Sequence, residues 1–355
     1  MRVALLANLK TNAPTWEGMS PDYWDDLDSE ETIEAITQAL EAGGHTVTFL
    51  EGNLSLVETL PKVKPDICFN ICEGHWGSGR EAQAPALLEM MRMPYTGSAV
   101  LTLALALDKP MTKRILTYHE LPTPLFQVFE RVDEPLHPAM QFPLFIKPSR
   151  EGTGMGVTAK SILRDETELR EQLPILFEKY KQPALVEHFI EGREVTLGVV
   201  GNLIGPAARR VPEDEHAPRV FEGLHFFPAL EVDMEKYPEE EGGIYTNRLK
   251  TELAHQFFFT CPANLTDAQL AELRFLTAAV FRVTECHDVA RVDFRFDMHD
   301  NDKPYILEIN PLPGLHPGYS DLCLEAEADG WSYADLVNRI LDAAVERYRL
   351  ARRPL

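Results

Sequence analysis

Three short segments of this sequence combine residue types that carry chemistry only when brought together. The first runs Lys147-Pro148-Ser149-Arg150-Glu151-Gly152-Thr153-Gly154-Met155-Gly156-Val157. Glycines at alternate positions follow a strand-like stretch, so backbone N–H groups can close over anionic oxygens without interference from Cβ atoms. Lys147, at the strand end, supplies the counter-charge of one ammonium. The loop lacks the closing Gly-Lys-Ser/Thr of a Walker A motif, and a hairpin turn with incidental glycines fits the same residues. The second segment is the pair Arg291 to Asp297 and Tyr305 to Asn310. Side chains alternate along a strand, which puts Arg291, Asp293, Arg295 and Asp297 on one face and Val292, Phe294 and Phe296 on the other. Glu308 and Asn310 then share a face opposite Leu307 and Ile309. If the strands pair, Asp293, Glu308 and Asn310 converge as an all-oxygen set suited to Mg²⁺ bound partly through substrate phosphates. A chance pair of amphipathic edge strands is the alternative, although a solvated face more often mixes Lys with Glu. The third segment, Val186 to Val195, reads as strand, turn and strand. Such a connector offers backbone groups to an adenine edge, and Glu194 can accept from ribose hydroxyls; any hairpin has the same pattern.

These residues need a frame. Residues Arg2 to Leu6, Val47 with Phe49, and Asp66 to Ile71 read as strands around a helix with the stripe Ile33, Ile36, Leu40, a βαβ rhythm. Asp28 with Glu31 resembles a capping box and Gly43-Gly44 supplies the stop. No Gly-x-Gly-x-x-Gly follows the first strand, which argues against a dinucleotide fold. Helical stretches at Ser98 to Leu107 and from about Met111 lead to Leu121-Pro122-Thr123-Pro124, near a first boundary. Beyond it we expect a strand ending at Pro148, a helix from Glu166 to Tyr180, a strand from Ala184 to Glu187 and another from Glu194. A polar stretch (Val211 to Asn264), a helix (Thr266 to Val283), the two site strands and a helix near Trp331 to Arg349 complete the chain.

With 355 residues, 34 Lys+Arg against 56 Asp+Glu and a formal charge of −22, the chain has material for two or three cored domains and no surface for phosphate backbones or anionic lipid. The one basic cluster, Arg347 to Arg353, reads as the end of a solvated helix. No apolar stretch approaches the ~20 residues of a spanning helix, and no signal peptide is evident. Five cysteines, odd in number and without a Cys-x-x-Cys pair, suggest reduced thiols in a cytoplasmic protein.

The order of the three segments, with Pro94-Tyr95-Thr96-Gly97-Ser98, Leu107-Asp108-Lys109-Pro110-Met111-Thr112-Lys113, Cys261-Pro262-Ala263 and Glu308-Ile309-Asn310-Pro311, resembles the ATP-grasp superfamily and within it the D-alanine:D-alanine ligase family, from Asp66 to Leu322. The resemblance implies an α/β (α+β ATP-grasp) fold: a parallel-sheet domain over residues 1–108, a central lobe with the glycine-rich lid over 109–192, and a C-terminal lobe over 193–355 with metal site and acceptor pocket. It implies that Lys109, Lys147, Thr153 and Gly154 hold ATP phosphates, and that Glu187, the hinge at Phe189 and Ile190, and Glu194 hold adenosine. Lys250 would reach the γ-phosphate, Asp293, Glu308 and Asn310 would bind two Mg²⁺ ions (Mn²⁺ being an alternative), and Arg291 with the Gly314 amide would stabilise an oxyanion. The implied reaction joins a carboxylate to an amine, on small amino-acid-like substrates, through an acyl phosphate. A homodimer without nucleic-acid or membrane partners is also implied.

The substrate side departs from the family pattern. In place of a short Ser/Glu-rich turn, Asn8 to Asp28 is long and contains Trp16, Tyr23 and Trp24, leaving Asp25, Asp28 or Glu31 as candidates for an amine contact. His75 and Trp76 lie on the loop after a strand, where α/β sheets bind ligands. Tyr319 stands where the family has a serine, with Ser320 beside it. These departures suggest substrates other than two D-alanines. A phosphotransferase, an ester-forming ligase with a hydroxy-acid acceptor and a non-catalytic nucleotide sensor are the competing readings.

Overall fold

The computed structural model describes residues 1–20, 22–204, 221–233, 236 and 258–350. The first sheet is parallel, with β1 (Arg2–Ala7) between β2 (Thr46–Glu51) and β3 (Ile67–Asn70). Helices α1 (Glu30–Ala42) and α2 (Leu56–Val63) make the crossovers. Because strand side chains alternate, Val3, Leu5, Ile67 and Phe69 pack on one face with Ile33, Ile36 and Leu40 of α1. Ala4, Leu6 and Cys68 point the other way, onto Leu56, Leu60 and Leu88, the last from α3 (Gln83–Met90). Ser29, not Asp28, caps α1, its hydroxyl accepting from the Thr32 amide at 3.2 Å. Asp28 is held upstream by a bridge to Leu9, with its amide donating to the Asn8 carbonyl; the next oxygen-bearing side chain takes the cap.

α4 (Val100–Leu107) runs into α5 (Lys109–Tyr118) through Asp108, whose carboxylate accepts from the Met111 amide at 3.0 Å while Pro110 occupies the first turn. This cap fixes Lys109 at the start of α5. The second sheet is antiparallel, in the order β4 (Phe126–Phe129), β7 (Ala184–His188), β5 (Leu144–Pro148), β6 (Ile162–Leu163), and is backed by α6 (Glu166–Tyr180). The third sheet has β8 (Glu194–Gly201) beside β12 (Val289–Asp297), which pairs with β13 (Lys303–Asn310). On its other edge β8 pairs with β9 (Leu224–Phe226) and β10 (Leu230–Val232), and β11 (Phe259–Thr260) closes the row. α7 (Asp267–Val283), started by a Thr266/Gln269 capping box, covers the apolar face.

Two features differ from the sequence-based expectation. β7 and β8 lie in different sheets, so residues 189–193 cross between sheets and do not close a hairpin. Short strands β9, β10 and β11 also occur within the stretch read as simply polar; two or three residues carry no measurable period. α8 (Asp321–Ala328) follows the site strands, and α9 (Tyr333–Arg347) returns to α1, where Leu336, Ile340 and Leu341 join the first sheet's core. Arg347 there meets the fully buried Asp288 at 2.7 Å and donates to the carbonyls of Tyr95 and Gly97, tying the last helix to both end sheets. Among the described residues no helix is long and apolar enough to cross a membrane.

Candidate active site

Two cavities adjoin between the sheets. The first, an open cleft of about 810 Å³, is bounded by the second and third sheets and lined by Lys147, Gly154, Glu187, Phe189, Ile190, Glu194, Asp293 and Glu308, all residues singled out from the sequence. The glycine loop that covers it is a succession of tight turns: the Met155 amide bonds the Gly152 carbonyl and the Val157 amide that of Gly154, at 2.9 Å each. Met155 is buried in the core of the second sheet and anchors the loop from beneath. At Gly156 φ is +78°, and a Cβ would stand 2.6 Å from Cγ of Pro148 and 2.9 Å from the Tyr180 ring. Gly156→Ala is therefore expected to cost about 1–3 kcal/mol and to displace the loop, read as a lower melting temperature and a weaker nucleotide-induced rise in it.

Beneath this cleft the carboxylate of Glu187 sits between two ammonium groups, 2.6 Å from Lys113 Nζ and 2.8 Å from Lys147 Nζ, with side chains 3%, 1% and 9% exposed. Burial opposes the charge on Glu187, but Lys113 and then Lys147 outweigh it and hold its pKa below the usual carboxylate range. Burial lowers the pKa of Lys113; at Lys147 burial is outweighed by Glu187, Glu308 and Glu194, and its pKa rises. Lys147 therefore remains a fixed cation in the cleft. Lys113, whose ammonium also donates to Thr123 Oγ1 at 2.7 Å, carries no signal in the sequence that separates it from a surface lysine.

The metal candidates come together as the strand pairing requires. Asp293 lies opposite Glu308 on β13 and opposite Thr196 on β8. Thr196 Oγ1 and Arg291 Nε donate to Asp293 Oδ1 at 2.8 Å, while Arg291 Nη2 and Asn310 Nδ2 donate to Oδ2 at 2.9 and 3.0 Å. Asn310 thus spends its donor on Asp293, and its carbonyl oxygen is the end left for a cation. Among the described residues no three Asp, Glu, His or Cys side chains gather into a metal cage. Two carboxylates and an amide fit a hard ion that completes its shell with phosphate oxygens and water. A register shift between Asp293 and Phe294 makes Leu307 an extra residue on β13. Leu307 consequently faces the cleft beside Glu308, contrary to strict alternation, while Ile306 and Ile309 go to the core.

The second cavity, about 1030 Å³ and also open, shares Lys109, Glu151, Gly152 and Glu308 with the first. Lys109 Nζ lies 3.3 Å from Glu308 and donates to the Glu151 carbonyl at 2.6 Å. Thr153, Arg291, Gly314, Tyr319 and Ser320 line this cavity, as does Asn310. Arg291 is held between Asp293 and Asp321, the latter at 3.3 Å. The Ser320 hydroxyl accepts from the His316 amide at 2.9 Å, and burial pushes the Tyr319 hydroxyl up to about 12.

The N-terminal candidates fall elsewhere. Asp25 pairs with Lys10 at 2.7 Å, Asp28 is half-buried with its pKa raised to about 7 by desolvation and Asp26, and Glu31 is 77% exposed near His316; none of the three lines either cavity. Asp26, between them, does. Nothing in Trp24-Asp25-Asp26-Leu27 distinguishes the adjacent aspartates without a register. His75 and Trp76 likewise line neither cavity; they belong to a cluster where Trp16, Tyr23 and Trp24 meet edge to face and Trp76 packs 5.6 Å from Trp16 and 5.7 Å from Trp24. This cluster docks the long segment carrying Asp26 onto the loop after β3. Glu73, Glu81 and Glu151 complete the acidic side of the cavity, and Arg80 pairs with Asp26 at 2.8 Å. Lys250 lies outside the described residues.

A lysine-lined cleft under a glycine loop between two sheets, opening onto a second cavity past paired acids, defines an ATP-grasp enzyme. The family model described as D-ala D-ala ligase C-terminus matches residues 115–216 and 229–342. The protein y4sG of Sinorhizobium fredii is 32% identical over 89% of this chain and 88% of its own length, and a D-alanine–D-alanine ligase of Syntrophotalea carbinolica is 34% identical over 88% and 90%. The structure of a D-alanine–D-alanine ligase from Bacillus anthracis complexed with ATP shares the fold, with a TM-score of 0.70 at 20% identity over 98% of this chain and 99% of that one. The chain belongs to the D-alanine–D-alanine ligase family of ATP-dependent, ADP-forming ligases.

Proposed function

We propose that this protein is an ATP-dependent carboxylate–amine ligase that joins amino-acid-like substrates through an acyl phosphate. The observation that carries the reading is the shared wall: Lys109, Gly152 and Glu308 border both cavities, so a carboxylate in the second can meet the terminal phosphate of a nucleotide in the first. Phe189, Ile190 and Leu307 flank the base, Glu194 takes the ribose, and Lys109 and Lys147 hold the phosphates. Asp293, Glu308 and Asn310 would hold Mg²⁺, which supplies charge neutralisation along the transferring phosphate. Closure of the loop at residues 151–157 excludes water from the activated carboxyl. Arg291 and the Gly314 amide then stabilise the oxyanion formed when the amine attacks, a donor of this kind being worth roughly 3–4 kcal/mol. The two Asp293 contacts and the Asp321 contact fix the guanidinium in one orientation for that task.

Phosphate released during turnover of an ¹⁸O-carboxyl-labelled substrate tests the route. One labelled oxygen transferred into inorganic phosphate is expected. A stable phosphorylated product accumulating without free phosphate would instead establish a phosphotransferase.

A further inference from the structure

The side of the second cavity remote from Gly314 is built of acids. Asp26, Glu73, Glu81 and Glu151 line it, from three separate stretches of chain. The described cations beside them are already engaged: Arg80 holds Asp26 at 2.8 Å and Glu151 at 3.4 Å, and Lys109 holds Glu308 at 3.3 Å. With Glu308 the wall has five carboxylates against Arg80 and Lys109, more than the single ammonium of a neutral amino acid offsets. A second observation marks where charge is missing. Asp26 lines the cavity with its side chain 6% exposed, Arg80 takes its Oδ2, and its Oδ1 is buried without a hydrogen-bond partner among the described residues. A buried carboxylate oxygen of this kind is normally satisfied, so the wall is complete only with a donor supplied from the cavity.

The acids are also ordered along the pocket. Glu81 interacts with Lys109 and Glu308, on the reacting side, whereas Glu73 interacts with Glu81, Asp26 and Asp28, further in. Burial raises Glu81 to about 7 in spite of Arg80 and Lys109, and raises Glu73 well above the usual range, where Glu81 and Asp26 add more than Arg80 offsets. A substrate carboxylate at the shared wall would set its α-ammonium near Glu81 and extend its side chain toward Asp26 and Glu73.

We propose that this pocket selects an amino acid bearing a second cationic group, a diamino or guanidino acid, held by Glu81 at its α-ammonium and by Asp26 and Glu73 at its side chain. This rests on the ligase reading for the placement of the carboxylate. A neutral amino acid such as alanine leaves the inner carboxylates facing one another, so selectivity follows from charge as well as from size.

The test is ATP-dependent phosphate release by the full chain with both enantiomers of alanine, serine, 2,4-diaminobutyrate, ornithine, lysine and arginine. At least one dicationic acid is expected to show a KM roughly tenfold or more below that of alanine. Asp26→Asn and Glu73→Gln should raise that KM by roughly 30-fold while shifting the KM for ATP less than about twofold; a merely structural role would move both constants and the melting temperature. Alanine used as well as every dication, or Glu73→Gln leaving the dication KM unchanged, overturns the proposal. Calorimetric titration of the same acids onto protein saturated with Mg²⁺ and a non-hydrolysable ATP analogue separates the two readings. Dication binding without turnover with any acid would sink the ligase assignment and keep the pocket; no dication binding removes the pocket.

Discussion

Glu308→Gln is expected to reduce phosphate release roughly 100- to 1,000-fold at saturating substrate, with the melting temperature nearly unchanged. Glu308 borders both cavities, stands opposite Asp293 and pairs with Lys109. The amide keeps the shape that β13 packs around, so the strand register survives, but the charge proposed to act on the metal at the phosphate is gone. Lys109 also loses its counter-ion. Steady-state rates across a Mg²⁺ titration check this. A variant with the wild-type rate and wild-type metal dependence would remove Glu308 from the proposed metal set.

The largest effect on stability is expected from Glu187→Gln, about 3–5 kcal/mol, because it strands two buried ammonium groups that now share one carboxylate. Lys113→Met should cost less, since it leaves the Glu187–Lys147 pair intact. The sign with pH follows from the depressed pKa of Glu187. Its stabilising contribution is full above the ordinary glutamate value near 4.3 and is lost as pH falls through the lower folded value. Wild type should therefore lose this increment in acid, and the Gln variant should have none to lose. Urea titrations of both at neutral and acid pH measure the difference; equal stabilities at neutral pH would refute the triad's role.

Much of the lining of the first cavity is legible in the sequence because its groups lie on regular elements. Alternation on β12 placed Arg291 and Asp293 together, and the glycine spacing located the loop above Lys147. The family pattern tied both to Lys109, at the capped start of α5. What was not legible depended on register or on distance. Strict alternation puts Leu307 on the face opposite Glu308, and no residue type announces the bulge that turns it to the same side. Asp26 does not stand out beside Asp25 and Asp28, since the segment that carries it has no period and takes its course from the Trp16, Tyr23, Trp24 and Trp76 cluster. Nothing in the motif around Lys113 marks it as buried; its burial arises from a strand about seventy residues away in the chain.

The extra residue in β13 has a further consequence. On a regular strand, two groups serving one ligand are separated by a side chain that faces away, and each can vary alone. At Leu307 and Glu308 that spacer is gone, so the proposed purine contact and the proposed metal contact are joined by a single peptide bond. Any change that shifts one drags the other. Affinity for the base and efficiency of phosphate transfer are thereby tied into one inherited trait, and shortening this strand by a residue would forfeit both together.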